Sequence, residues 1–188
     1  MDFDQRHTIQ IVADYHFQKD QGFRIGKVYP LANMGFNLIG RIGSGTPYTK
    51  KRNPSPTQNL SGGVAQQVEG AINGSRYPVN FNIDLRIDKD FYFKVGKKAG
   101  EGEDKRKEYS FNLYLQILNL LNTKNVYDVY SYTGNPNDDG YLTASEFQNS
   151  INSQNDPQSF RDLYTLKVNN PNNYSVPRRI RIGLIFNF

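Results

Sequence analysis

The sequence contains no cysteine and no tryptophan, and only two histidines, His7 and His16. Without thiols there is neither a disulfide framework nor a thiolate metal site. The two histidines fall on opposite faces of one alternating segment, and no nucleophile or metal set surrounds them, so both are expected to be polar residues of the rim or the lumen. No phosphate loop, dinucleotide fingerprint or G-x-S-x-G motif occurs. An enzyme is not expected. Long apolar runs are missing too. Mean hydropathy is −0.70, and no stretch approaches the roughly 18 apolar residues of a membrane helix. That excludes a helical membrane protein but not a β-barrel, whose alternating strands average out as polar. Residues 1–4 have neither a basic start nor an apolar stretch, so they are not a signal peptide. An export signal is expected elsewhere, with this chain the end of a longer one. The net charge of +5 is modest. Its main concentration, residues 94–108, mixes six Lys/Arg with four Asp/Glu, the pattern of a solvated loop. No aromatics interleave with the basic residues there, so nucleic acid is not an expected partner.

What the chain does have is aromatic residues, 13 Tyr and 12 Phe, and alternation. In the last eleven residues, Ile180, Ile182, Leu184, Phe186 and Phe188 share one face, opposite Arg179, Arg181, Gly183 and Asn187. A period of two is a strand with one apolar and one wet face. A free carboxylate beside a buried Phe is costly in a soluble core, whereas an aromatic ring beside a charge is at home in a membrane interface. The same alternation recurs over 7–17, 34–42, 79–88 and 109–117. The phase slips at Asn119–Asn122, which reads as a bulge, and strand-like sequence resumes over 126–132.

Five strands therefore have four connections, over 18–33, 43–78, 94–108 and 134–177, alternately short and long. Outer-membrane barrels have short periplasmic turns and longer outer loops. One orientation satisfies all four connections: C-terminus periplasmic, with 43–78 and 134–177 extracellular. That orientation also gathers Tyr15, Phe17, Phe36, Phe91, Phe93, Tyr109, Phe111, Phe186 and Phe188 at the periplasmic rim, as an aromatic girdle requires. A soluble β-sandwich alternates as well, but it has no reason to collect aromatics at one end of every strand. The expected fold is all-β, an antiparallel transmembrane barrel segment with its apolar face on outer-membrane lipid. Five strands do not close a barrel, so either further strands precede residue 1 or several chains pool theirs. Arg41, Asp84, Arg86 and Arg181 are expected to face the lumen. A carboxylate pair at strand spacing, Asp84 and Asp88, could in principle serve acid–base chemistry, but an alternating charge stripe on a lumen wall accounts for it.

The last long loop carries two local signals. Residues 135–146 match the spacing of a twelve-residue Ca²⁺ loop, with Asn135, Asn137, Asp139, Tyr141 and Glu146 as the candidate ligands and Gly140 at the turn. Against that, Asn replaces Asp at the first position, Pro136 follows it, and no helix precedes. The alternative is an Asn/Asp/Gly turn leading into a helix capped by Thr143, with Glu146 completing a capping box. Asp156-Pro157 reads as the cap and first turn of a second helix reaching about Lys167. A loop of this length with its own helices points to function.

Several segments together resemble the C-terminal end of a TonB-dependent outer-membrane receptor of the Bacteroidetes type. They are Gly43-Ser44-Gly45-Thr46-Pro47-Tyr48-Thr49, Asp84-Leu85-Arg86-Ile87-Asp88-Lys89 and Ile117-Leu118-Asn119-Leu120-Leu121-Asn122-Thr123-Lys124-Asn125-Val126. Tyr132-Thr133-Gly134 with Asp138-Asp139-Gly140-Tyr141-Leu142, and Pro171 to Arg178 ahead of the final strand, complete the set. Each is weak alone; their order and spacing cover nearly the whole chain. The end of the chain is similar to an outer-membrane assembly signal, through Arg181, Gly183, Phe186 and Phe188. The resemblance implies a barrel of about 22 strands, within the known size range. It also implies a plug in the lumen, energised uptake of a bulky nutrient through TonB, and insertion by the barrel-assembly machinery. A surface lipoprotein over the outer loops is a further candidate partner. The plug, the TonB-contact segment and most strands are not within these residues, and the family has no catalytic residues to carry over. Two readings stay beside it: an oligomeric channel or adhesin whose chains share one barrel, and a soluble secreted β-domain binding glycan or protein.

Overall fold

The computed structural model describes residues 4–26, 28–54, 67–96 and 107–187. In chain order the elements are β1 (Thr8–His16), β2 (Met34–Gly43), β3 (Pro47–Tyr48), β4 (Ser75–Arg76), β5 (Asn80–Val95) and β6 (Lys107–Leu118). A 3₁₀ turn at Ser145–Phe147, α1 (Gln148–Asn152), α2 (Pro157–Val168), a 3₁₀ turn at Pro171–Asn173 and β7 (Arg179–Asn187) follow. The protein is mostly antiparallel β-sheet with a few short helices, and no helix among the described residues is long and apolar enough to cross a membrane. Phe188 and the central parts of the 43–78 and 94–108 connections lie outside the described residues.

The chain forms two compact units. One holds residues 10–41, 82–123 and 177–188; the other holds 1–9, 42–81 and 124–176. The first is built on the sheet β1-β2-β5-β6-β7, which follows sequence order once the short β3–β4 pair is set aside. All four neighbouring pairs are antiparallel. β5 pairs β6 from Leu85↔Ile117 to Val95↔Lys107, and β6 pairs β7 from Ser110↔Asn187 to Leu118↔Arg179. For β1 and β2, Phe17 N–H donates to Met34 O (2.8 Å) at one end and Ser44 N–H to His7 O (2.8 Å) at the other. For β2 and β5, Asp90 N–H donates to Asn33 O (2.9 Å), joining the start of one to the late part of the other. Among the described residues the sheet is open, with β1 and β7 as its edges, and it does not close into a barrel.

The expected bulge after β6 is instead a turn. Asn119 and Asn122 take positive φ (56° and 55°), a conformation that short amide side chains tolerate. The Asn119 side chain then donates to Thr123 O (3.0 Å) and accepts from Thr123 N (2.9 Å). The strand-like stretch 126–132 forms no strand; it makes an isolated bridge, Val126↔Tyr174. Beside it the Asn125 amide occupies the sites a strand would use, accepting from Phe81 N and donating to Phe81 O, both at 2.8 Å. β5 runs on to Val95, well past the alternating stretch seen in the sequence.

The second unit is made from the two long connections. Its core is Tyr141, Ile151, Tyr164 and Val168, with Tyr130, Leu142, Phe147 and Phe160 packed against it. Together with Val129, these four are the buried hydrophobic residues among those described. The segments expected as loops thus hold the buried core. α2 starts as its sequence predicts. Asp156 caps it, accepting from Gln158 N (3.1 Å) and Ser159 N (3.0 Å), and Pro157 opens the first turn. The turn before α1 does not: its cap is Ala144 with no side-chain bond, and the Thr143 hydroxyl turns back to Gly140 O. Thr143 is one residue too early to cap a turn starting at Ser145, so the Thr143–Glu146 capping box does not form.

The Asp156 cap sets an acid limit on α2. The Ser159 hydroxyl, followed by the Ser159 and Gln158 N–H groups, holds the Asp156 carboxyl below its usual value. A depressed folded-state pKa contributes stability above the unfolded value of about 3.9 and loses it as pH falls through the folded value. Amide exchange at Gln158 and Ser159 should therefore quicken only in strong acid. In Asp156→Ala the same amides should exchange fast at neutral pH.

Candidate functional site

The candidate site is the pair of faces of the five-stranded sheet. Register assigns every side chain of β5, β6 and β7 to one face or the other. The rows Leu85–Ile117–Ile180, Ile87–Leu115–Ile182, Lys89–Leu113–Leu184 and Phe91–Phe111–Phe186 form one face. Among the described residues no second layer covers that face: Ile182 is 75 % exposed, Leu184 61 % and Leu113 43 %. Its aromatic end is a ladder of rings. Phe91 stacks on Phe111 (4.7 Å), Phe93 on Tyr109 (5.8 Å) and Tyr109 on Phe186 (6.2 Å). On β1 and β2, Phe17 meets Tyr15 at 4.8 Å and Phe36 at 6.1 Å. Eight of the nine rings expected at one rim fall into these two groups; the ninth, Phe188, lies outside the described residues.

The opposite face is a hydrogen-bonded polar wall. Arg41 Nη1 pairs with Asp84 Oδ2 at 3.2 Å. Asp84 Oδ1 also accepts from Asn82 Nδ2 and Asn119 N, both at 2.9 Å, so this carboxylate ties strand to turn. Asn112 Nδ2 donates to Asp88 Oδ2 (3.0 Å) and Asp90 Oδ1 (2.8 Å). Arg86 lies 4.5 Å over the Tyr114 ring and occupies one cross-strand row with Gln116 and Arg181. All four residues expected to face a lumen therefore share this polar face.

Tyr114 explains a glycine. A Cβ on Gly183 would collide with the Tyr114 phenol, so the bare backbone of β7 is the socket for that ring. Of the expected assembly-signal residues, Arg181 and Gly183 lie on the polar face and Phe186 in the ring ladder. We expect Gly183→Val to cost about 1–3 kcal/mol through overpacking. Adding Tyr114→Ala should recover most of the loss, as read by the denaturant midpoint of the two single variants and the double.

The five residues expected as Ca²⁺ ligands divide. Asp139 and Tyr141 are buried, whereas Asn135, Asn137 and Glu146 are exposed. The loop's oxygens are used internally. Asn135 Oδ1 accepts from Asn137 N (2.9 Å), Asp138 Oδ1 from Gly140 N (2.8 Å) and Asp139 Oδ1 from Tyr141 N (3.0 Å). Asp139 Oδ2 accepts from the Tyr164 hydroxyl at 2.6 Å. A cation drawing on Asp139 has to share its carboxylate with that hydroxyl and with Tyr141 N–H. No group of three or more His, Cys, Asp or Glu suited to a metal occurs among the described residues.

Beside Asp139 lies a cleft of about 180 Å³, lined by Lys51, Asp128, Val129, Tyr130, Ser131 and Tyr132 as well. Its neighbourhood raises two phenols. Burial, then the charge and hydrogen bond of Asp128, pushes Tyr77 up to about 12. Burial and the charge of Asp139 raise Tyr130. Neither this cleft nor the Asp139–Tyr164 bond has a sequence signal, because the residues come together from segments far apart in the chain. Set against known proteins, the chain matches no family model, no curated protein and no solved structure.

Proposed function

We propose that this chain is the C-terminal part of a large outer-membrane β-barrel of the TonB-dependent receptor type, which takes up a bulky nutrient across the outer membrane. The observation that carries the membrane part is the uncovered apolar face. A sheet with one greasy face buries it against a second layer in a soluble domain, and contiguous exposed apolar patches of more than a few hundred Å² are rare on monomers. Four rows of Leu, Ile and Phe across three strands, interrupted once by Lys89 and ending in a ring ladder, suit lipid tails bounded by an interface. The hydrogen-bonded polar face suits an enclosed lumen. In this reading the C-terminus is periplasmic and residues 43–78 and 134–177 are extracellular. The transport role, the plug and the TonB contact rest on the sequence resemblance.

The open edges favour further strands over pooling of identical copies. A membrane edge with unpaired backbone groups is not viable, so β1 and β7 each need a neighbour. With five antiparallel strands, β1 and β7 run in the same direction. Copies arranged around an axis along the membrane normal then meet β7 to β1 in parallel, against the all-antiparallel rule of such barrels. An odd number of additional strands removes the conflict.

These 188 residues lack tryptophan, so single Trp probes report cleanly once any Trp elsewhere in the whole polypeptide is replaced by Phe. In the whole receptor polypeptide reconstituted in vesicles, brominated phospholipid should quench Trp at Leu113 or Leu184 and spare Trp at Gln116. Equal quenching at all three, or cooperative folding in buffer without detergent, rules the barrel out.

A further inference from the structure

We infer that the apolar face carries a phospholipid-headgroup site centred on Lys89. This rests on the barrel reading and adds to it a defined ligand contact. The strands segregate charge by sign as well as by face. All the acids of the five strands, Asp14, Asp84, Asp88, Asp90 and Glu108, sit at polar-face positions, where Arg and Lys side chains accompany them. Among the described residues the apolar-face positions hold two charges, and both are cations: Lys89, in the row with Leu113 and Leu184, and Lys107, opposite Val95.

Neither cation has a carboxylate partner among the described residues, and each lies by an aromatic ring. Lys89 Nζ is 5.8 Å from the centre of Phe91, and Lys107 Nζ is 5.5 Å from that of Tyr109. Six residues separate Lys89 from Val95, roughly 20 Å of strand, so the two ammoniums bracket the ring ladder at its inner and outer margins. A cation in hydrocarbon is costly, but at the margin a long stem carries the charge toward the interface while its methylenes stay in the apolar layer.

Lys89 is the better defined of the two. Its ammonium donates to Pro30 O (2.5 Å) and Ala32 O (3.2 Å). These carbonyls fix its position and satisfy two of its three N–H groups, but they are neutral and leave its charge uncompensated. The third N–H and that charge call for an anion on the lipid side, beside a bed of phenyl rings suited to the first carbons of the acyl chains. A phosphodiester with two tails meets both demands; a soluble phosphate meets only the first.

The test uses the whole receptor polypeptide, purified in detergent, given phosphatidylglycerol and weighed by native mass spectrometry. Wild type should retain at least one more lipid than Lys89→Met, with a fivefold or greater drop in the lipid-bound fraction. Lys89→Arg should retain the lipid. Lys94→Met, which removes a polar-face cation 3.8 Å from Glu108, should match wild type. Equal retention by Lys89→Met in protein that inserts normally overturns this site alone. Displacement of the lipid by millimolar inorganic phosphate also overturns it, in favour of a free-anion site. Wild type that neither inserts nor carries lipid overturns the barrel reading together with this one.

Discussion

Arginine at Ile182 should prevent most of the protein from inserting, whereas arginine at Gln116 should leave insertion unchanged. The two positions lie in adjacent cross-strand rows, at nearly the same depth along the sheet, but on opposite faces. In the proposed barrel the ring ladder marks one interface, at the Phe91–Phe111–Phe186 row. An apolar band about 25 Å tall, crossed by strands tilted about 40°, takes up roughly ten residues. Its middle then falls near Arg86 on β5, between the rows that hold Ile180 and Ile182. An arginine on the lipid face costs about 2–4 kcal/mol at the midplane and about 0–1 near the interface. At about 1.4 kcal/mol per tenfold, the midplane cost lowers the ratio of inserted to uninserted protein by a factor of roughly 30 to 700. The series Ile182→Arg, Leu184→Arg, Phe186→Arg should therefore fall in cost toward the end of the chain. Heat-dependent gel migration of the whole polypeptide refolded into vesicles reads each fraction. A cost that is the same at all three positions, or as large for Gln116→Arg, contradicts a lipid-facing side.

The five strands of this sheet could be read from the sequence because period-two alternation is local, and one uncovered face sharpens it. Ile83, Leu85 and Ile87 announce β5 without reference to any partner. The same locality revealed α2, since Asp156-Pro157 sets a cap and a first turn within four residues. The failures have a common cause, a side chain whose role is set by a distant partner. Lys89 interrupts the apolar phase of β5 because its ammonium is held by carbonyls of the turn before β2, and so the strand's continuation to Val95 was hidden. Asn125 replaces strand pairing with its own amide, so the alternating residues after it never join a sheet. The core of the second unit was the least legible. Tyr141, Ile151 and Tyr164 have no common period and come together through tertiary contact. The faces of Arg41, Asp84, Arg86 and Arg181 followed from parity alone, but the partners of Asp84 did not.

The second large effect is expected in that core. Tyr141 is 1 % exposed; its ring stacks on Tyr164 at 4.8 Å and meets Phe147 at 4.5 Å. Truncation to Ala should cost about 3–5 kcal/mol, the range for a buried aromatic removed from a packed core. Tyr164→Phe is the more informative change, because it keeps the ring and removes one oxygen. The lost hydroxyl donates at 2.6 Å to Asp139 Oδ2, and Asp139 is itself 2 % exposed. The carboxylate would then keep its bond from Tyr141 N but lose its second donor while still buried. Leaving a buried acceptor unsatisfied costs about 1–3 kcal/mol, and more when it is charged. Replacing both partners, as in Asp139→Leu with Tyr164→Phe, leaves only the Tyr141 N–H without its acceptor and no buried charge, so it should cost less than the sum of the single changes. Limited proteolysis of the 134–177 segment in the intact polypeptide gives the readout: rapid cleavage in Tyr141→Ala and Tyr164→Phe, slower in the double variant. If Tyr164→Phe resists proteolysis as well as wild type, the Asp139 carboxylate is not held by that hydroxyl, and its oxygens are free to serve another ligand.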